Sequence, residues 1–320
     1  MAESESQVRY FPISFFSVVM GLMGLTLVLQ RGARVWGLPT LMGELALYLS
    51  TLVFLALSVL YAMKIFRFGV EVVAEFRDPI KLHFFPTYTI SLILLSMGYL
   101  GVSPPLARFF WLVGSIGQLI LTLMVVSAWI NRTTFEIQHM NPAWFIPVVG
   151  NLLVPIAGVA LDSAELSWFF FSIGIVLWIV LLTIIFNRVI FHHPLAERMA
   201  PTFFILIAPP AVGQLAYSQL TGGIDPFARI LYYVALFTGL MMATQWKTFL
   251  RLPFHPSWWA YSFPLAALTL GTMSILQLTG IELFRVLGTL LAALLVATIA
   301  MLVWLTARTA GRRQLFSSES

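Results

Sequence analysis

Long uninterrupted apolar runs constrain this chain more than any other feature of its sequence. A helix needs about 20 apolar residues to cross the hydrocarbon core of a bilayer, and runs of that length recur along most of the 320 residues. Only 10% of the residues are charged, whereas a soluble domain carries about 25%. The chain is therefore predicted to be an all-α integral membrane protein.

The positions of these runs predict ten transmembrane helices. The fifth and seventh are the least regular, because prolines lie inside them and neighbouring groups must satisfy the freed backbone. The predicted spans lie near 12–30, 41–63, 84–102, 106–130, 142–161, 166–187, 201–219, 227–246, 256–278 and 283–306. Residues 12–307 then form one membrane domain between two tails, 1–11 and 308–320.

The distribution of basic residues predicts the orientation of these spans. Thirteen of the 18 Lys and Arg residues fall on the side that holds both termini, and cytoplasmic loops carry the excess of Lys and Arg. Both termini are therefore expected in the cytoplasm, with membrane lipids as partners of the protein. No basic stretch is interleaved with aromatic residues in the way that favours nucleic acid, so none is expected as a partner.

A proline followed by aromatic residues recurs at the start of the odd-numbered spans. Pro12, Pro86, Pro142, Pro201 and Pro256 follow one another at intervals of 55 to 74 residues, the length of a helical hairpin with its loops. The first turn of any helix tolerates proline, but five in phase indicate a repeat. Because each hairpin returns the chain to the same side, the hairpins are parallel in orientation and related about the membrane normal. The repeat predicts a pseudo-five-fold ring whose centre is lined by the odd helices.

Further prolines lie deeper in the odd spans. Pro147, Pro209, Pro210 and Pro264 are predicted helix kinks, since proline removes a backbone donor. Backbone groups freed at membrane depth must be buried in protein or face water. These positions are therefore expected near the centre of the ring.

Five short segments occur along the chain in the order "FPISFFSVVMGLMGL", "VAEFRDPI", "NPAWFIPVVGN", "APPAVG" and "WWAYSFP". Each is a weak signal alone, but their combination in this order is specific. Together they resemble the TehA family, which includes bacterial tellurite-resistance and dicarboxylate transporters, the plant guard-cell slow anion channel, and fungal malate and sulfite carriers. The resemblance covers nearly the whole chain. It implies five hairpins around a central pore and a homotrimer with one pore per subunit, and we expect the bacterial inner membrane as the location.

The resemblance also implies a phenylalanine that occludes the pore. The matching residue is Phe263 in "AYSFP"; Pro264 follows it, as in the plant channels, where bacterial relatives tend to have Gly. The alternative is a phenylalanine that only packs against its neighbours. Further pore-lining candidates, from the aromatic segments and weakly polar positions of the odd helices, are Phe16, Ser17, Thr87, Asn151, Phe204 and Ser262.

The cores of the odd helices contain no Asp, Glu, Lys or Arg. A charge within the membrane marks the ion or proton site of a coupled transporter, whereas a neutral, aromatic tube suits a channel that closes by dewetting or occlusion. An anion channel for small inorganic or organic anions is predicted. The alternative is a proton-coupled carrier for C4-dicarboxylates or oxyanions such as tellurite or sulfite. No catalytic constellation or metal motif occurs, so we expect no enzyme activity, cofactor or metal.

Three histidines, His83, His139 and His255, each precede an odd helix by a few residues. Imidazole titrates near neutrality, so one hypothesis is a pH-sensing ring at the inner mouth of the pore. The favoured interpretation is histidines at the membrane interface with little effect on conduction.

Overall fold

A computed structural model of the chain describes residues 7–311. The outer parts of both predicted tails, 1–6 and 312–320, lie outside the described residues. Within residues 7–311 the regular structure is helical throughout and contains no strand. The α-helices are α1 Ser17–Trp36, α2 Thr40–Arg67, α3 Gly69–Arg77, α4 Pro86–Tyr99, α5 Pro104–Asn131, α6 Ile146–Gly158, α7 Ala164–Phe191, α8 Ala208–Thr221, α9 Pro226–Thr244, α10 Trp246–Leu250, α11 Ser262–Thr279 and α12 Glu282–Gly311.

Nine helical segments of the described chain are long and apolar enough to cross a membrane, and a bent pair supplies a tenth. In that pair Gly69–Arg77 and Lys81–Tyr99 meet at 105°. The bend has a plain cause, because α3 carries Glu71, Glu75 and Arg77, which disfavour the hydrocarbon core. Only the second part of the pair corresponds to the third predicted span.

A 3₁₀ segment precedes each of α1, α4, α6, α8 and α11. These segments are Ile13–Phe16, Lys81–Phe84, Pro142–Phe145, Glu197–Ile207 and Pro256–Tyr261. Consecutive ones contact each other along the chain, so they lie at one end of the molecule. We call this end the proline face, since Pro12, Pro86, Pro142, Pro201 and Pro256 lie in or next to the five segments.

The deeper prolines lie where the 3₁₀ segments become α-helix. Pro147 is in the first turn of α6, Pro209 and Pro210 are in that of α8, and Pro264 is the third residue of α11. These α-helices continue directly from the 3₁₀ segments, so their first N–H groups bond back into those segments, as Ser262 N–H does to the Trp259 carbonyl oxygen. Proline has no N–H and interrupts this series of hydrogen bonds. The breaks predicted at these positions therefore take the form of a change in helix type at the start of each α-helix.

Burial divides the long helices into two layers. The inner helices are α1, α4, α6, α8 and α11, and they are mostly buried. In the four spans that contain α1, α6, α8 and α11, 67–94% of the most apolar stretch is buried inside the protein. The outer helices, α2, α5, α7, α9 and α12, have only 22–33% of that stretch enclosed. Apolar side chains such as Leu52, Ile116 and Leu290 remain exposed on them, as expected for helices that face lipid.

Contacts between the helices repeat along the chain. Each inner helix packs against the outer helix that follows it, and each outer helix contacts the next inner helix. Among the inner helices, α1 packs against α4, α4 against α6, α6 against α8, α8 against α11, and α11 against α1.

The contact between α1 and α11 depends on two glycines. A Cβ atom at Gly24 would lie 2.6 Å from the Cβ of Ala266, and one at Gly21 would lie 2.8 Å from the Cβ of Ser262. Small residues let helix backbones approach closely in membranes, where van der Waals packing drives association. Gly21 and Gly24 therefore set the distance between the first and last inner helices.

We expect Gly24→Ala to destabilise the protein by about 1–3 kcal/mol, because the added methyl group overpacks a rigid contact. Thermal unfolding in detergent measures this loss. The exchange Gly24→Ala with Ala266→Gly restores the space and should recover most of the stability. Equal unfolding temperatures for wild type and Gly24→Ala would show that the helices are not tightly packed at this point.

Candidate functional site

A cavity of about 650 Å³ opens at the proline face. All five inner helices contribute residues to the wall of this cavity. Among the described residues, Lys64 is the only lining residue that belongs to an outer helix. The residues from the inner α-helices are Ser17, Met20, Thr87, Ile90, Ile146, Val149, Ala208, Phe263 and Pro264. The cavity therefore lies between the inner helices, and we call it the vestibule.

The deep part of the vestibule is apolar. The lining residues farthest along each inner helix from the proline face are Met20, Ile90, Val149, Ala208 and Pro264, with Phe263 beside Pro264. No ionisable group is among them, so an ion at this depth would meet side chains that cannot replace its hydration shell.

Phe263 lies at this depth because the 3₁₀ segment Pro256–Tyr261 ends just before it. The side chain is 6% exposed and lines the vestibule. Gly24 lies opposite it, since a Cβ at Gly24 would be 3.8 Å from Cδ2 of Phe263. The ring therefore lies between α11 and α1 with one side on the cavity.

The other predicted pore residues divide into two groups. Ser17 and Thr87 line the vestibule with Phe263, whereas Phe16, Asn151, Phe204 and Ser262 are not among the lining residues. Phe16 packs edge-on against Tyr88 with ring centroids 5.0 Å apart, and Phe204 packs against Tyr261 at 4.6 Å. Asn151 Nδ2 donates to the Pro147 carbonyl oxygen at 2.8 Å, and Ser262 Oγ to that of Trp259 at 2.6 Å.

A buried ion pair forms part of the vestibule wall. Lys64 Nζ lies 2.7 Å from Glu75 Oε2, and the two side chains are 5% and 6% exposed. The pair also fixes the start of the first inner helix: Lys64 Nζ donates to the Phe11 carbonyl oxygen at 2.8 Å, and the Ile13 N–H donates to Glu75 Oε1 at 2.8 Å. The hydroxyl of Tyr61 donates to Glu75 Oε2 at 3.2 Å. This pair was not predicted from the sequence, although Glu75 lies within the segment "VAEFRDPI".

Cations exceed carboxylates around the vestibule. Arg9 donates to Glu71 from Nε and Nη2, and Asp78 Oδ1 accepts the N–H groups of Ile80 and Lys81. Lys81 and Arg198 line the cavity without a carboxylate partner within residues 7–311. Counting Lys64, the wall holds four Lys and Arg residues and three Asp and Glu residues. A positive balance at a cavity mouth attracts anions.

The three histidines at the proline face have different environments. His83 is buried away from the vestibule and stacks on Trp144 at 4.6 Å, and its Nε2 accepts the indole N–H of Trp129 at 2.8 Å. His139 Nδ1 accepts the N–H of Glu136 at 3.1 Å. His255 lines the vestibule; burial, and then the charge of Arg198, lower its pKa from the usual 6.5. The environment of His255 therefore disfavours the protonated ring.

We expect the replacement of His83, His139 and His255 by Gln to leave anion current nearly unchanged between about pH 6 and 8. A lowered pKa shifts folded His255 toward the neutral form in that range. The unfolded chain takes up the proton first, so stability falls only as the pH drops below about 6.5. Anion flux into vesicles across this pH range is the measurement. Loss of a steep wild-type pH response in the triple variant would establish a histidine sensor instead.

Comparison with known proteins identifies the family. Residues 10–307 match the family described as SLAC1, voltage-dependent anion channel. The chain belongs to this family. The membership confirms the resemblance to TehA-like proteins that the sequence motifs indicated.

Relatives of this SLAC1-family chain come from three kinds of organism. An uncharacterized transporter of Methanocaldococcus jannaschii is 26% identical over 309 residues, which cover 89% of this chain and 90% of the relative. The S-type anion channel SLAH3 of Arabidopsis thaliana is 27% identical over 274 residues, 82% of this chain but only 42% of the plant protein. The tellurite resistance protein TehA homolog of Haemophilus influenzae is 24% identical over 263 residues, 80% of this chain and 79% of the relative.

Proposed function

We propose that this protein is an anion channel whose pore runs between the inner helices and is occluded by Phe263. One observation carries the proposal: the vestibule is lined by all five inner helices, and Phe263 is among the residues at its deep end. An apolar constriction of this kind blocks ions by excluding water until the ring moves or the helices separate.

The proposed pore requires the inner helices to form a closed ring of five parallel hairpins. The successive contacts from α1 through α4, α6, α8 and α11 back to α1 support this arrangement. The contacts among the 3₁₀ segments support a common starting end for the inner helices. Pseudo-five-fold symmetry about the membrane normal follows if the five hairpins are equivalent.

Selectivity for anions would arise at the mouth. Lys81, Arg198 and the partly compensated Lys64 raise the local concentration of small inorganic or organic anions. The Ser17 hydroxyl is the polar group that the inner α-helices offer deeper in the vestibule, since the Thr87 hydroxyl donates to the Phe84 carbonyl oxygen at 2.6 Å. Weakly polar groups of this kind favour anions that lose their hydration shell easily.

A proton-coupled carrier for dicarboxylates or oxyanions is the alternative function. Such a carrier needs a titratable group on the substrate path, and the deep wall around Met20, Ile90, Val149 and Phe263 has none. Glu75 is the nearest buried carboxylate on the wall, and it is engaged with Lys64, Tyr61 and Ile13. The channel is therefore the better supported function.

We further propose a homotrimer with one pore per subunit, in the bacterial inner membrane with both termini in the cytoplasm. The family resemblance and the excess of basic residues at the proline face support this assignment. Membership of a family of channels and transporters supports a transport protein rather than an enzyme.

Flux into proteoliposomes tests the proposed function. Vesicles loaded with potassium chloride or nitrate and treated with a potassium ionophore should release anion when the protein is present, and the rate should not depend on a pH gradient. An anion flux that requires an opposing or accompanying proton flux at fixed stoichiometry would support the carrier.

A further inference from the structure

A second cavity, of about 480 Å³, lies outside the inner layer. It is formed by the end of α7, the 3₁₀ segment Glu197–Ile207 and the region around α10. It shares no lining residue with the vestibule among the described residues. Val189, Leu195, Phe203 and Leu252 give it apolar walls, so it offers space for a partly apolar ligand.

The cavity contains a buried arginine with free hydrogen-bonding capacity. Arg188 is 5% exposed and belongs to the lining of the cavity. Its Nε donates to the Ile137 carbonyl oxygen at 2.9 Å, and its Nη1 donates to that of His193. No acceptor for Nη2 is found within residues 7–311. Two carbonyls therefore hold the guanidinium in place, and one edge remains available to a ligand in the cavity.

The other polar groups of the cavity favour an anion. Arg251 and Thr248 lie on the wall with Arg188, and Glu197 is the only carboxylate among the described lining residues. Two arginines against one glutamate leave a positive balance. Guanidinium groups recognise phosphate oxygens by paired, charge-assisted hydrogen bonds.

The surroundings of the cavity are those of a membrane interface. The last turn of α7 exposes Phe191 to 72%, and α10 exposes Leu250 to 63%. Trp246 is also exposed, with Lys247 Nζ 5.6 Å from its ring centroid. Aromatic and basic residues of this kind sit at the level of lipid headgroups. The cavity thus opens beside a surface that contacts lipid.

We propose that this cavity binds an anionic phospholipid, with its phosphate at Arg188 and Arg251 and part of an acyl chain against Val189 and Phe203. Basic pockets at the cytoplasmic ends of membrane helices are suited to such headgroups. The bound lipid bridges the end of α7 and the chain that leads into α8, one of the inner helices.

Native mass spectrometry of the full chain in detergent tests the site. The probes are phosphatidylglycerol, phosphatidylcholine and inorganic phosphate. Arg251→Gln is the test variant, since Arg251 is exposed and its side chain makes no hydrogen bond within residues 7–311. Arg67→Gln, which changes another exposed cation, at the end of α2, is the matched control.

We expect retention of phosphatidylglycerol over phosphatidylcholine, and about tenfold weaker retention in Arg251→Gln, as for the loss of one charge-assisted hydrogen bond. Arg67→Gln should bind as wild type does. Arg188→Gln should abolish selective retention, provided that its helical circular dichroism is preserved. Any of three results would overturn the lipid site. The first is equal retention of both lipids, the second is an equal effect of Arg251→Gln and Arg67→Gln, and the third is binding of inorganic phosphate as strong as that of phosphatidylglycerol.

Discussion

Phe263→Ala is expected to raise anion current by about tenfold or more, equivalent to about 1.4 kcal/mol off the barrier to permeation. The ring is apolar and lies at the deep end of the vestibule, so an ion must lose hydration to pass it. Truncation to Ala removes the obstruction and admits water to the constriction. Current from reconstituted protein, normalised to the amount incorporated, measures the effect.

The alternative role for Phe263 makes the opposite prediction. If the ring only packs between α11 and α1, truncation leaves a cavity that costs about 3–5 kcal/mol in a well-packed core, and stability falls with no gain in current. Phe263→Leu keeps apolar bulk without a flat ring, and its current should lie between those of wild type and Phe263→Ala. A stable Phe263→Ala protein with wild-type current would exclude the gate, and Phe16 and Phe204 would be tested next.

Glu75→Ala is expected to destabilise the protein by about 3–5 kcal/mol, the cost of removing one partner of a buried ion pair. The loss leaves the Lys64 ammonium without its counter-ion and the N–H of Ile13 without its acceptor. The start of the first inner helix should therefore loosen. Unfolding in detergent, followed by circular dichroism, measures the loss, and the substitution of Lys64 by Met with Glu75 by Leu should recover part of it.

Neutralising either partner of the Lys64–Glu75 pair is expected to change anion current in the direction set by the charge that remains on the vestibule wall. Glu75→Gln keeps an acceptor for Ile13 and leaves the vestibule more positive, so anion current should rise. Lys64→Met leaves Glu75 uncompensated, so anion current should fall, although both variants lose stability. Changes of the same sign in both variants would show that the pair acts on the pore through structure alone.

The layered helical fold was predictable because lipid leaves few alternatives. Every backbone group must be satisfied within the helices, so the apolar runs fixed the number of spans to within the bent pair of α3 and Lys81–Tyr99. The recurring prolines marked the start of each inner helix, because proline is favoured in the first turn of a helix and disfavoured beyond it; Pro155, inside α6, is an exception. Span ends differed by a few residues, as in α12, which continues to Gly311.

The ion pair was not predictable from span positions. Lys64 and Glu75 are in different helices, α2 and α3, and they meet because the chain turns at Phe68, between these helices. From the sequence, both residues were predicted only as charged residues of a cytoplasmic loop. Asn151 shows the converse: this weakly polar residue of an inner helix was predicted to line the pore, but its side chain donates to the Pro147 carbonyl oxygen.

The most direct test of the proposed anion pore is the reversal potential of single-channel current from purified protein in a planar bilayer. We predict unitary currents in Phe263→Ala that reverse at the anion equilibrium potential under a potassium chloride gradient and do not shift when a pH gradient is imposed. Reversal at the potassium potential, a shift that follows the pH gradient, or anion flux without unitary current would contradict an anion channel gated by Phe263.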